Sequence, residues 1–73
     1  MERGRKTLIQ SIGETAGKVW IFLNQKGEAN IIELMQGVEA DAGLILQAIG
    51  WLAREDKLRI EKKGQYIIYS LKE

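Results

Sequence analysis

The chain has 73 residues, enough for one small domain with a single core and too few for a catalytic domain beside a binding domain. Its 11 Lys and Arg nearly balance 10 Asp and Glu, so a net charge of +1 gives no long-range attraction to nucleic acid. Any basic surface must therefore be local. Cys and His are both absent, which excludes disulfides, thiolate or imidazole metal ligands, and histidine acid–base catalysis.

Signals of an enzyme or of a membrane protein are also missing. The sequence has no glycine-rich phosphate loop, and Ser11 and Ser70 have no accompanying base in any motif. Its uncharged apolar runs fall far short of the roughly 18 residues of a membrane span, and the N-terminal residues lack the apolar core of a signal peptide. We therefore expect a non-enzymatic cytoplasmic protein with no cofactor, metal, membrane contact or small-molecule substrate.

The first predicted element is a helix over Thr7 to Asn24, ended by the pair Lys26-Gly27. Residues 1–6 precede it as an expected mobile basic arm, which leaves residues 7–73 as one domain. The helix carries apolar residues at spacings of three and four, which predicts an inward stripe. That stripe comprises Ile9, Ile12, Ala16, Val19 and Leu23, flanked by Leu8 and Trp20.

A second helix is predicted over Ile31 to Gln36, with Asn30 as a favourable N-cap. A short extended piece, Glu28 to Asn30, precedes this helix. Gly37 to Ala40 then supplies the predicted turn of a helix-turn-helix. The residues expected to face inward are Ile31, Leu34, Met35 and Val38.

A third helix is predicted to begin near Asp41, whose carboxylate is favourable at a helix N-terminus, and to run to about Glu55. Asp56 stands where such helices stop in a left-handed conformation, which aspartate tolerates. The inward row consists of Ile45, Ala48, Ile49 and Leu52, with Leu44 and Trp51 one row over. The opposite, outward row consists of Gly43, Leu46, Gln47, Gly50 and Arg54.

The C-terminal pattern predicts a β-hairpin with its turn at Lys63-Gly64-Gln65. In the first strand Leu58 and Ile60 alternate with Arg59 and Glu61. In the second strand Ile67, Tyr69 and Leu71 alternate with Tyr66, Ile68 and Ser70. One strand face belongs to the core, while the face with Tyr66 and Ile68 is more apolar than a solvated wing requires. The predicted class is α+β, a winged helix-turn-helix in which a hairpin wing follows three helices. In such folds the piece corresponding to Glu28 to Asn30 often forms a short extra strand beside the hairpin.

A family resemblance rests on Val19-Trp20 with Leu23, on the run AIGWLAREDKL from Ala48 to Leu58, and on the closing YIIYSL. Together with Ile31, Leu34 and Val38, this pattern resembles bacterial and archaeal winged helix-turn-helix domains. The resemblance is closest to a family of short, stand-alone bacterial winged-helix proteins of uncharacterised function. It covers about Ile12 to Leu71, and it implies the fold, with DNA binding as the commonest use of that fold.

The residues that could contact double-stranded DNA lie on the third helix and the wing. In DNA-binding winged helices the exposed side of the third helix enters the major groove, and basic wing residues contact phosphates. Asp41 and Glu39 at the helix entrance would repel phosphates. The candidates are Gly43, Gln47, Gly50 and Arg54 on the helix and Arg59, Lys62 and Lys63 on the wing, with Arg3, Arg5 and Lys6 in the arm.

The DNA-binding interpretation also expects a homodimer. A second interpretation is an interaction module that dimerises or docks another protein through Leu46, Tyr66 and Ile68. Gly43 and Gly50 fit both interpretations, because two glycines on one helix face allow a DNA phosphate or a partner helix to approach closely. A third possibility remains open, in which Gly43 belongs to the helix entrance and Gly50 gives room to Trp51. The aromatic residues Trp20, Trp51 and Tyr69 have core spacing and are predicted to be packing residues rather than stacking platforms.

Overall fold

The computed structural model describes residues 7–72, so the predicted basic arm at residues 1–6 lies outside the described part of the chain. The order of elements confirms three helices, a hairpin and the short extra strand. No helix within residues 7–72 is long and apolar enough to cross a bilayer. The elements are α1 (Leu8–Lys26), β1 (Glu28–Ala29), α2 (Ile31–Val38), α3 (Ala42–Arg54), β2 (Leu58–Lys63) and β3 (Tyr66–Leu71).

Side chains at the N-termini of the helices fix where α1 and α2 begin. Thr7 and Gln10 form a reciprocal capping box at α1, and Asn30 and Glu33 form another at α2. In the second box the Asn30 side chain accepts from the Glu33 N–H, and Glu33 Oε1 accepts from the Asn30 N–H, both at 2.9 Å. Each box satisfies two backbone donors, which confirms Asn30 as the N-cap of α2.

The helix α2 is longer than predicted, because Gly37 lies inside it rather than in the turn. A Cβ built on Gly37 would stand 2.2 Å from Cε1 of Phe22, so the ring of Phe22 on α1 occupies the space that a side chain would need. The turn instead begins at Glu39, which adopts the left-handed conformation with φ 61°. Gly37 therefore serves close packing between α1 and α2, and the prediction of a turn over Gly37 to Ala40 was wrong in its first residues.

The core lies between the three helices and one face of the sheet. The inward row predicted for α3 is confirmed in full, since each of its four residues is buried. On α1 the stripe is correct for Ala16, Val19 and Leu23, Ile12 is half-buried, and the prediction is wrong for Ile9, which is 67% exposed. The buried hydrophobic residues are Ala16, Val19, Leu23, Ala29, Leu34, Ile45, Ala48, Ile49, Leu52, Leu58 and Tyr69.

The sheet has the strand order β1-β3-β2, and both pairings are antiparallel. Lys63 pairs with Tyr66, so the hairpin loop is the two residues Gly64-Gln65 rather than three, with Gly64 at φ 63°. Asp56 has φ 60°, which confirms the left-handed stop after α3. The far half of the hairpin extends beyond the helices, and Ile60 and Ile67 therefore stay largely exposed although they continue the core face.

Candidate nucleic-acid interface

The outward row of α3 is exposed along its whole length, as the helical period predicts. Within this row, Gln47 carries the amide that could form paired hydrogen bonds with an adenine edge. Apart from chain neighbours and nearby helix backbone, nothing lies within 4 Å of a Cβ built on Gly50, and Gly43 meets one Asp41 oxygen at 3.6 Å. No other part of the described chain crowds either glycine, so the helix backbone at Gly43 and Gly50 is accessible to a ligand.

The start of α3 is unfavourable for a phosphate. Asp41 is the N-cap, and its Oδ1 accepts from the Leu44 N–H at 2.8 Å, so a carboxylate already occupies the helix N-terminus. The exposed carboxylate of Glu39 lies two residues earlier. Phosphate contacts are therefore favoured at the opposite end of the helix, where Arg54 is the last residue.

The wing cations divide between the two faces of the hairpin. Strand residues alternate, so Lys62 lies on the sheet face of Leu58 and Tyr69, which packs against the helices. Arg59 and Lys63 lie on the outer face. The candidates Arg59, Lys62 and Lys63 therefore do not form one basic cluster, although they are close in sequence.

The outer face of the sheet is electrostatically mixed. Lys63 Nζ lies 3.4 Å from Oε1 of Glu28, and Glu61 belongs to the same face as Arg59. An exposed ion pair of this kind contributes at most about 1 kcal/mol to the stability of the fold. It does, however, direct the Lys63 side chain across the sheet toward Glu28 on β1. Within residues 7–72, Arg54, Arg59 and Lys62 make no ion pair. Arg54 and Lys62, together with Lys18 on α1, are thus the unpaired cations of residues 7–72 that lie away from the outer sheet face.

The three predicted protein-interface residues do not form one patch. Leu46 is exposed on α3, on the helix side of the sheet, whereas Tyr66 and Ile68 belong to the outer sheet face. Tyr66 near the hairpin tip is mostly exposed, and Ile68 is half-buried. Sequence periodicity identified each as apolar and outward but could not show that the elements present them in different directions.

The three predicted packing aromatics are buried to different degrees. Tyr69 is buried in the core as expected, but Trp20 and Trp51 remain 39% and 38% exposed. Their spacing matches a core row, yet both lie at the edge of the contact between α1 and α3. Within residues 7–72, no group of three or more carboxylates could hold a metal ion.

Three helices with an antiparallel hairpin wing, and a third helix open along its outer row, define a winged helix-turn-helix domain. The chain belongs to the family described as "Winged helix-turn-helix domain (DUF2582)", whose model matches residues 1–71. The sequence is 36% identical over 63 residues to the uncharacterized protein MJ1608 of Methanocaldococcus jannaschii. The matched region covers 84% of this chain and 90% of that protein.

Two solved structures share the fold. The solution structure of protein BT2368 from Bacteroides thetaiotaomicron has a TM-score of 0.79 at 39% identity, covering 85% of this chain and 76% of that one. The Zalpha domain of PKZ from Carassius auratus, solved in complex with Z-DNA, has a TM-score of 0.74 at 14% identity and covers 85% of this chain and 98% of that domain. The second likeness concerns the fold alone.

Proposed function

We propose that the protein is a transcription-regulator-like, non-enzymatic DNA-binding module that contacts duplex DNA with the outward row of α3 and with Lys62. The observation that carries this proposal is that the outward row of α3 is exposed and that, within residues 7–72, neither Arg54 in that row nor Lys62 on the helix-facing side of the sheet makes an ion pair. The complex of the Zalpha domain with Z-DNA supports the compatibility of this fold with DNA.

The chemistry of this surface favours phosphate contacts over base recognition. Arg54 and Lys62 can neutralise phosphates, whereas Gln47 is the residue of the outward row best suited to a base edge. The two glycines bring the helix backbone close to the groove without adding donors of their own. We therefore propose weak binding with little sequence preference, with the acidic entrance of α3 turned away from the DNA backbone.

The salt dependence of binding measures the number of phosphates engaged. Each neutralised phosphate contributes a slope of about −0.9 to log affinity against log salt, so two or three contacts give roughly −2 to −3. Replacing Lys62 by Gln should reduce the magnitude of that slope by about 0.9 and weaken binding to all duplexes alike. The matched control is Arg59→Gln, which removes one positive charge from the same strand but on its outer face.

The test is a fluorescence-anisotropy titration of a labelled duplex over a series of salt concentrations. The proposal expects a clear loss of affinity for Lys62→Gln and little change for Arg59→Gln. Equal losses for both variants would show a diffuse charge effect and contradict the assigned face. No binding of the unchanged protein at low salt would refute DNA binding and would favour the interaction-module interpretation.

A further inference from the structure

A surface groove of about 260 Å³ lies between α1 and α3, away from the outward row of α3. Its α1 side shows a glycine at each of two successive turns and ends at Trp20, and its α3 side carries Trp51. The ring of Trp51 lies 3.5 Å from a Cβ built on Gly13, so the ring covers one side of that glycine. The lining residues are Gly13, Ala16, Gly17, Trp20, Trp51, Leu52, Glu55 and Lys57.

The described part of the chain does not explain why α1 carries glycine at position 17. A Cβ built on Gly17 meets nothing within 4 Å outside its chain neighbours and nearby helix backbone. Glycine weakens a helix interior relative to alanine, so an open glycine in the third turn of α1 has a cost without a packing benefit in the monomer. Close approach of a backbone from outside the monomer would supply that benefit.

We propose that this groove is a homodimer interface in which two copies of α1 pack antiparallel about a two-fold axis near Gly17. Such an interface must be self-complementary, with a projection and a matching depression on the same surface. Gly13 and Trp20 are seven residues apart, so they lie two turns apart on nearly the same face of α1. An axis between Ala16 and Gly17 then places Trp20 of each copy against Gly13 of the other.

The charges of the groove favour a second copy over a charged partner. Within the lining, Glu55 and Lys57 are the ionisable residues, and Lys57 Nζ lies 3.4 Å from Glu55 Oε1. The pair makes the rim neutral, so two identical surfaces can meet without like-charge repulsion. A nucleic acid or an acidic peptide would find no excess of positive charge there.

The apolar area is sufficient for a dimer of modest stability. The exposed parts of Trp20 and Trp51, with Ile9 and Ile21 beside them on α1, provide roughly 300 Å² of apolar surface per copy. About 60% of a typical interface is apolar, so both copies together would bury on the order of 1,000 Å². This total lies at the lower end for specific association and corresponds to a reversible dimer rather than an obligate one.

Dimerisation through this groove is independent of DNA binding. Gly50 and Arg54 are absent from the groove lining, so α3 would keep its outward row free in each copy. A failure of one proposal therefore leaves the other unaffected. Measurements of the free protein decide the dimer, and measurements with DNA decide the proposed function.

Sedimentation velocity of the free protein, from about 10 µM to about 1 mM, tests the dimer directly. The unchanged protein should pass from monomer to dimer across this range, and Gly17→Gln should stay monomeric with at least a tenfold weaker association. The matched control Gly50→Gln, at another open helical glycine, should dimerise like the unchanged protein. A monomer at every concentration, or normal dimerisation of Gly17→Gln with helix content intact by circular dichroism, would overturn the proposal.

Cross-linking provides a second readout, because the chain has no cysteine of its own. A cysteine at position 17 lies near the proposed axis, where two copies bring their Cα atoms close enough for a disulfide. Gly17→Cys should therefore oxidise to a covalent dimer at least ten times faster than Gly50→Cys at equal concentration. Equal rates for the two variants would show random collision and contradict the proposed axis.

Discussion

Replacement of Gly37 by Ala tests how closely α1 and α2 pack. By helix propensity alone the change should stabilise α2 by about 1 kcal/mol. The new Cβ, however, would stand 2.2 Å from Phe22 Cε1 and 2.7 Å from Cδ1 and Cζ, whereas ordinary contacts begin near 3.4 Å. The ring must therefore retreat by more than 1 Å or leave its position, and such overpacking costs about 1–3 kcal/mol.

The expected net effect is a destabilisation of about 1 kcal/mol, opposite in sign to the propensity effect. The control is Gly50→Ala, where the Cβ enters open space and the protein should gain about 1 kcal/mol. The free energies of unfolding should thus differ by about 2 kcal/mol, which corresponds to roughly 8–16 °C in Tm for a domain of this size. Thermal unfolding followed by circular dichroism measures this difference.

A double-mutant cycle identifies the ring of Phe22 as the cause. Phe22→Leu alone should destabilise the protein by losing part of the packing between α1 and α2. In that background Gly37→Ala should lose its penalty and stabilise by up to about 1 kcal/mol, because the planar ring no longer fills the site. If Gly37→Ala proved as stabilising as Gly50→Ala in the original protein, the proposed packing role of Gly37 would be wrong.

Two further predictions concern helix ends. Glu39→Gly should raise the free energy of unfolding, measured in urea, by about 0.5–1 kcal/mol, because Glu39 is exposed at φ 61°, where glycine has no steric penalty. A lower free energy of unfolding would contradict this account. The Asn30 N–H, which donates to the Glu33 carboxylate, lowers the pKa of Glu33 below its usual value of 4.5, and Lys26 at 3.5 Å contributes further. This stabilisation is therefore present above pH 4.5 and is lost as the pH falls through the lowered folded-state pKa. Glu33→Gln, which keeps an acceptor for the box, should reduce the loss of stability on acidification, and an unchanged pH profile would oppose the assignment.

Local signals predicted the elements well. The period of apolar residues on α3 identified all four inward residues. Asn30 marked a helix start through its capping side chain, and Asp56 marked a helix stop through its left-handed backbone conformation. The short strand β1 was also expected from its position before α2. These features depend on a few neighbouring residues, so the sequence specifies them without knowledge of the tertiary contacts.

Features that depend on distant residues could not be predicted in this way. Gly37 was interpreted as a turn residue because its packing partner, Phe22, lies 15 positions earlier on another helix. The exposure of Ile9 and of Trp20 depends on how far the neighbouring elements extend, which a helical period does not contain.

The candidate site shows the same limit. Adjacent cations in sequence suggested one basic wing, but the alternation of β2 turns Lys62 and Lys63 to opposite faces, and the pair of Lys63 with Glu28 depends on β1 lying next to β3. The strand pattern already contained the alternation. It also assigned Tyr66 and Ile68 to the face away from the core, an assignment that the pairing register confirms.

The most direct test of the proposed function is a nuclear magnetic resonance titration of the isotope-labelled protein with a short DNA duplex at low salt. The account predicts amide shift changes in the outward row of α3, at Gln47, Gly50 and Arg54, and at Lys62 on the wing. The amides of Gly13 and Trp20 should not move with added DNA at constant protein concentration. Changes confined to the outer sheet face, or no changes at saturating DNA, would contradict the proposed interface.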